Sequence, residues 1–316
     1  MSSNTKISIV IPTRDRPKEL ARCLRAIQQQ TLLPYEVIVV NDGKKKINRE
    51  AFRSCKFSEL ASGRQKGQSW AKNLGVFKAC GEILVFIDDD CLPERDWLWR
   101  LTRAFKHTEI AVVVGRIIEK RRQGKKDSFS DIILNLPFYP LYFLIRKSAG
   151  GTIYPNGRVD QNLETTKRGF CHWGGAGNMA IRKTCFMKAG GFDRRLLPGS
   201  AMEEPDLCWR ILQAGSRIFY NGRASVSHYP PSCRRLSPDK EIYNLRANEV
   251  YFSLKNLVPQ GFFYFLLFLI YQAWQVLIYS LLSLGRRKCW LRVMGKQAGI
   301  KYWRGVFLKK ANENSH

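Results

Sequence analysis

After a short polar lead, apolar runs alternate with amphipathic stretches along the first 120 or so residues. Ile7-Ser-Ile-Val-Ile11 reads as a buried strand that Pro12 stops. Pro17 suits the first turn of a helix, in which Leu20, Cys23, Leu24 and Ile27 recur at helical spacing. Pro34 breaks the pattern, and Tyr35-Glu-Val-Ile-Val-Val40 predicts a second strand, closed by Asn41-Asp42-Gly43 and followed by a basic loop. Trp70, Leu74 and Phe77 mark another helix, which Gly81 terminates. Glu82 to Ile87 and Val112 to Ile118 predict two further strands. Strands that are apolar almost throughout and alternate with helices predict an α/β domain with a mostly parallel, Rossmann-like sheet covered on both faces. In such sheets ligands bind beyond the carboxyl ends of the strands.

Three of these strand ends are polar together: Thr13 to Asp15, Asn41-Asp42, and the run Asp88-Asp89-Asp90. Like charges held close disfavour one another's ionisation. A counter-cation relieves that cost, and hard oxygen ligands suit magnesium or manganese. An acidic turn capping the next helix is the competing explanation. Polar groups from three separate segments on one rim favour a site.

Farther on, the Gly-rich loop Trp173-Gly-Gly-Ala-Gly-Asn178 lets backbone approach a ligand closely, or forms a tight turn. It lacks the Gly-Lys-Ser/Thr ending of a P-loop, and no G-x-G-x-x-G follows the first strand. Glu203-Glu204-Pro205-Asp206 opens a helix with Leu207, Ile211 and Leu212 on its buried side, Pro205 at its first position and Glu204 as its cap. A carboxylate there either caps the helix or removes a proton from a hydroxyl. His228 follows a strand ending near Ser227, and imidazole can complete an oxygen-rich metal shell. The stretch Phe138 to Ile145, flanked by Arg146-Lys147, fits core, acceptor groove or membrane-touching face equally.

Composition adds charge to this picture. The 316 residues carry 53 Lys+Arg against 26 Asp+Glu, a net +27, which implies a polyanionic or phosphorylated partner. The acids gather at 88–96 and 203–206, inside a chain that otherwise attracts anions. Nine scattered cysteines with no zinc spacing suit a reducing compartment. With no signal-peptide pattern after Met1, the amino-terminal part is expected to be cytoplasmic.

The blocks ISIVIPTRDRPKELARCLRAIQQQT, EVIVVNDG, GQSWAKNLGVFKACGEILVFIDDDCLPERDWL, GGAGNMAIRKTCFMKAGGFDRRL and EEPDLCWRILQAGSRIFYNGRASVSHYP occur in order through residues 5–230. In that order they resemble the family 2 glycosyltransferases of the GT-A fold. The resemblance implies a nucleotide pocket lined by Pro12, Thr13 and Asp15, with Asp42 accepting from the base N–H and Lys72 and Asn73 facing the nucleotide. It implies Asp88 on the ribose or donor sugar, and Asp90 and His228 on Mn2+ or Mg2+ bridging two phosphates. Asp89 would fill the variable, solvated place of the DxD motif. Trp173, Gly174, Gly175 and Asn178 would form the acceptor and donor loop. Glu204, or else Glu203, would be the base, in a pair that is often Glu-Asp in the family. The implied activity is inverting transfer of a sugar, UDP-linked, to a hydroxyl of a saccharide or lipid-linked acceptor in cell-surface polysaccharide or glycan synthesis. The alternatives are a nucleotidyl or sugar-phosphate transferase, or a basic protein that binds nucleic acid or an anionic surface. That last class lacks a recognition-helix or RNA-binding aromatic pattern, so no nucleic acid is expected.

Beyond residue 255 the pattern changes. Gly261 to Leu284 carries no charged residue and is long enough to span a bilayer. From Arg286 to His316 there are nine Lys/Arg and one acid, Glu313, interleaved with aromatics. This divides the chain into a catalytic domain, 1–255, and a helical membrane-associated region, 256–316. A single span would leave the basic tail outside the cytoplasm, against the positive-inside tendency, whereas an in-plane or re-entrant hairpin keeps it inside. A buried core helix is the third reading. The expected place is the cytoplasmic face of the cell membrane, with the tail against anionic lipid.

Overall fold

The computed structural model of the chain describes residues 5–47, 52, 55–62, 67–120, 135–145, 149–199, 202–230, 236–282 and 287–313. Arg146-Lys147 and the last two residues of the apolar run therefore lie outside the described residues.

The first half runs β1 (Ile7–Thr13), α1 (Pro17–Gln28), β2 (Glu36–Asn41), β3 (Lys56–Ala61), α2 (Gln68–Lys78), β4 (Ile83–Phe86), β5 (Cys91–Pro93), α3 (Trp97–Thr102) and β6 (Ile110–Glu119). It continues through α4 (Tyr139–Leu144), β7 (Gly150–Ile153), β8 (Val159–Asn162), β9 (Arg168–Cys171), β10 (Met179–Arg182), α5 (Lys183–Lys188), α6 (Glu203–Gln213) and β11 (Arg217–His228). Three helices close the chain: α7 (Pro238–Phe252), α8 (Phe262–Leu282) and α9 (Arg287–Glu313). The main sheet has the order β3-β2-β1-β4-β10-β6-β11-β5, with β9 paired to β11. The β3-β2-β1-β4 half is parallel, β10 joins antiparallel, and β6 and β11 are again parallel.

Alternate residues of the apolar strands feed two cores. Ile9, Ile11, Val37 and Val39 pack with α1 and with Trp97, Leu98 and Leu101 of α3. Val10, Ile38 and Val40 pack on the opposite face with α2, Phe186, Phe192 and Leu207. Both faces are thus covered, as continuous apolar strands require.

Four local expectations change. β1 runs through Pro12 to Thr13, because its pairing with β4 ends at Val10 and the missing N–H is tolerated on the side left open. The stretch after β2 contains the edge strand β3. In α2 the sheet-facing residues are Ala71, Lys72, Gly75 and Val76, while Phe77 is 77% exposed. A Cβ at Gly75 would come within 2.4 Å of Val10, so the helix needs a small residue where it meets β1, and it turns Phe77 outward. In α6 the cap is Met202, which puts Glu203 and Glu204 inside the first turn and Pro205 third.

The C-terminal helices are seated on this body. A Cβ on Gly295 or Gly299 would meet the backbone of α7 at 2.7 and 2.5 Å, so α9 crosses α7 at close range. Tyr302, Trp303 and Val306 then reach the main core. Among the described residues α8 is the one helix long and apolar enough to cross a membrane, and Phe262, Phe263, Leu269, Leu277 and Leu281 on it face outward.

Candidate active site

Parallel pairing puts the ends of β1, β2 and β4 side by side, which gathers the polar rim. Asp15 takes a left-handed backbone conformation, φ 56°, and its carboxylate accepts from the amides of Lys44 and Lys45 at 2.7 and 2.9 Å. Those two bonds are the largest influence holding its pKa below the ordinary value. Asp42 accepts from the Ser62 hydroxyl and, at 3.0 Å, from the Gly67 amide. Pro12, Thr13, Arg14, Asp42, Gly67 and Ala71 form one wall of a cleft of about 170 Å³. Pro198, Gly199, Glu203 and Leu236 form the other.

The three aspartates take separate environments. Asp88 Oδ1 is buried and accepts no hydrogen bond from the described residues, with Lys72 Nζ 3.8 Å away. Asp89 is not solvated as its DxD place implied. It is 1% exposed, accepts from the Thr13 hydroxyl at 2.7 Å, and meets Arg16 at 3.0 Å. Burial pushes its carboxyl up to about 6 against the pull of Arg16. Asp90 meets the same Arg16 guanidinium at 2.6 Å and His228 Nε2 at 3.3 Å.

His228 comes from the far side of the sheet. It ends β11, whose antiparallel pairing with β5 sets it opposite Cys91, while the Tyr229 amide donates to the Asp90 carbonyl at 2.9 Å. Its other nitrogen, Nδ1, lies 2.8 Å from Glu119, the last residue of β6. Burial works against its charge, but Asp90 and then Glu119 outweigh it and raise the imidazolium to about 9.

The donor set fits a hard divalent cation: carboxylate oxygens and one imidazole nitrogen, converging from two strand ends. The Cys91 thiol lies within 4.8 Å of both Asp90 and His228, but burial pushes its pKa well up, so it stays protonated and packs. Glu119 would fix the imidazole tautomer, as carboxylate–histidine–metal arrangements do. Glu119→Gln is expected to weaken Mn2+ binding about 10- to 100-fold, read as the metal-dependent rise in melting temperature. In the parent that rise is expected to grow between pH 6 and 9, because His228 must lose its proton to bind metal. A flat profile would remove His228 from the ligand set.

The acid pair sits across the cleft. Glu204 Oε1 accepts from the Ala176 amide of the Gly-rich loop at 3.4 Å and lies 3.6 Å from Lys72 Nζ. Burial first, and the Glu204 carboxylate second, push Glu203 above the ordinary carboxylate range. Lys72 itself is 3% exposed. Burial disfavours its charge, but Asp88, Glu204 and Glu203 offset that cost and raise its pKa. It therefore lies between Asp88 and Glu204 instead of facing solvent.

Several expected site residues are occupied elsewhere. Asn73 clamps the backbone of Phe192, donating at 2.8 Å and accepting at 3.0 Å. Asn178 is fully buried, accepting from Trp97 and donating to the carbonyls of Arg116 and Ala224, so it braces the sheet under the loop. Trp173 donates to the Asp160 carbonyl at 3.1 Å and is walled by Gly151. Gly174 and Gly175 pass close to Val114 and Ile117. Gly177 of the loop passes close to the aspartate run, where a Cβ would stand 3.2 Å from Asp88. Asp206 is fully buried and held by Arg210, Lys255 and Asn256, a structural role.

Two residues of the site were missed in the sequence. Arg16 lay in the polar run after β1, and Glu119 closes a strand as the other rim residues do. The strand-end rule that found Asp42 and Asp88 would have found Glu119 had the strand been extended by one residue.

The fold is of the GT-A type. Residues 8–176 match the family model described as glycosyl transferase family 2, and the chain belongs to that family. It is similar to the pre-mycofactocin glycosyltransferase of Mycobacterium tuberculosis, 25% identical over 72% of this chain and 43% of the relative. It is similar too to the glucosyl-dolichyl phosphate glucuronosyltransferase of Haloferax volcanii, 24% identical over 71% of this chain and 69% of the relative. The chain thus spans less than half the length of the mycobacterial relative. In fold it resembles GalNAc-T7, solved with UDP, GalNAc and Mn2+, with TM-score 0.57 and 17% identity over 80% of this chain and 50% of the other. It also resembles the mannosyltransferase PcManGT of Pyrobaculum calidifontis, solved with GDP-Man and Mn2+, with TM-score 0.55 and 14% identity over 100% of this chain and 82% of the other.

Proposed function

We propose that the chain transfers a sugar from a nucleoside diphosphate sugar, UDP-linked, to a hydroxyl of a saccharide or lipid-linked acceptor, in one inverting step that requires a divalent cation. One observation carries this reading. Lys72 Nζ lies 3.8 Å from Asp88 and 3.6 Å from Glu204, so a donor-side and an acceptor-side carboxylate oxygen flank one point, no more than about 7.4 Å apart. Both carboxylates are thus within reach of one bound donor, Asp88 on its ribose or sugar and Glu204 on the side from which an acceptor hydroxyl would attack.

Pro12, Thr13 and Asp42 hold the base and ribose in the cleft, with Asp15 fixing the loop beside them and Lys72 adding positive charge. Asp90 and His228 hold the cation, and Asp88 contacts the ribose or sugar. A bound Mn2+ or Mg2+ supplies charge neutralisation at the diphosphate leaving group. Glu204 takes the acceptor proton as the hydroxyl attacks from the face opposite the leaving group. Glu203, its carboxyl raised above the ordinary range by burial and then by Glu204, stands beside the base. One displacement inverts the anomeric centre, and no carboxylate nucleophile is needed. A donor screen with membrane lipid extract as acceptor tests this reading. Metal-dependent release of nucleoside diphosphate supports it, and release of pyrophosphate points to nucleotidyl transfer instead.

The outward apolar face of α8 and the basic α9 beside it support a reading in which the acceptor is met at a membrane. The full chain is expected to co-sediment with vesicles containing phosphatidylglycerol. Phe263→Ser with Leu269→Asp is expected to release most of it, since charged and polar groups enter the interface at a cost. Equal sedimentation of parent and variant would put that face elsewhere.

A further inference from the structure

About 16 Å along β11 from His228, counted as five residues at strand rise, the chain builds a second basic feature. A cavity of about 320 Å³ is lined by Trp99, Arg100, Arg103, Arg168, Asn221 and Arg223. Four of these six residues are arginine. Arg100 is absorbed by Asp96, at 2.5 Å, and by the Arg223 carbonyl, at 3.0 Å. No carboxylate pairs with Arg103, Arg168 or Arg223 among the described residues. The register of β11 against β6 slips between Asn221 and Ser225, and such bulges redirect side chains. Arg223 lies inside that slip, while Asn221 ties the bulge to α3 by donating to the Arg100 carbonyl at 2.8 Å. The wall is therefore fixed, and Arg103, Arg168 and Arg223 on it meet no carboxylate among the described residues.

Aromatic rings are interleaved with these cations. Arg103 lies 4.8 Å from the ring of Trp99, and Arg217 lies 3.8 Å from that of Phe170 beside the cavity. Trp99 and Phe170 are 48% and 44% exposed, although burial is the usual fate of such rings. Flat apolar faces bordered by guanidinium forks suit a ligand with both apolar ring faces and oxyanions.

We infer that this cavity binds an acidic saccharide chain, its carboxylates or phosphates on Arg103, Arg168 and Arg223 and a sugar face on Trp99, at a site separate from the catalytic rim. The choice of a saccharide over other polyanions rests on the chain's membership of a sugar-transferring family and deepens the acceptor reading above. The site would hold a remote part of a growing or incoming glycan.

The test is fluorescence anisotropy of a labelled octagalacturonate with the full chain, without nucleotide sugar or metal. Binding is expected to weaken steeply with salt. Arg103→Gln with Arg223→Gln is expected to weaken it at least about tenfold, the loss of two charge-assisted contacts. Neutral maltooctaose is expected to bind at least about tenfold more weakly than octagalacturonate for the same reason. Trp99→Ala with Arg168→Gln gives the same reading should the first variant fail to fold. Transfer to a short neutral acceptor is expected to be unchanged in both. Unaltered octagalacturonate binding in a folded variant overturns the proposal, and so does tighter binding of an eight-residue oligothymidylate. Because no turnover enters the measurement, failure of the proposed reaction would leave this result standing, and the converse holds.

Discussion

Replacing Asp90 with alanine is expected to reduce transfer by at least about 10³-fold in saturating Mn2+, with the fold intact. Asp90 is the carboxylate that meets both His228 and Arg16, so its removal takes away the oxygen ligand around which the cation site is arranged. A metal that neutralises a leaving diphosphate contributes several kcal/mol to the transition state, and each ~1.4 kcal/mol is a factor of ten in rate. The metal-free melting temperature is expected to hold. Asp89 loses a repelling neighbour while Arg16 keeps its bond to Asp89. The measurements are nucleoside diphosphate release and the melting shift on adding Mn2+. A variant that transferred at the parent rate, or that kept the full Mn2+ shift, would place the cation elsewhere.

Glu204→Gln is expected to lower kcat by about 10²- to 10⁴-fold, the usual worth of a positioned general base, with donor binding near the parent value. Glutamine preserves the hydrogen bond from Ala176 but cannot accept the proton. Burial, and then the Glu204 carboxylate, hold the Glu203 carboxyl above the ordinary carboxylate range, and Glu203→Gln is expected to lower kcat far less than Glu204→Gln. Should Glu203→Gln instead be the more damaging of the two, the roles of the pair are exchanged. Lys72 makes the pair sensitive to the donor side. An ammonium held between Asp88 and Glu204 orders both carboxylates, and a donor phosphate arriving near Lys72 would draw on the same charge.

The sheet was legible because its strands are nearly all apolar, and burial on both faces is the arrangement that accepts such strands. α1 was legible for a similar reason, with one apolar residue per turn facing the sheet. α2 was misphased because its sheet-facing residues are small. Gly75 and Ala71 carry no hydropathy signal, and Phe77 carries a strong one in the wrong direction. Asn73 and Asn178 were read toward ligand because a polar side chain in a motif looks available. Their bonds to the Phe192 backbone and to Trp97 span many residues of sequence and leave no local trace.

By itself the sequence determined the polar ends of β1, β2 and β4 and the acidic run among cations, because period, composition and strand ends are local properties. The tertiary structure alone decided which of those acids meet. Antiparallel pairing of β11 with β5 brings His228 to Asp90, and the end of β6 brings Glu119 to His228. The packing of α2 on β1 and β2 places Lys72 between Asp88 and Glu204. These contacts join residues up to 138 positions apart. They exist because two cores close on one sheet, and no stretch of chain encodes them on its own.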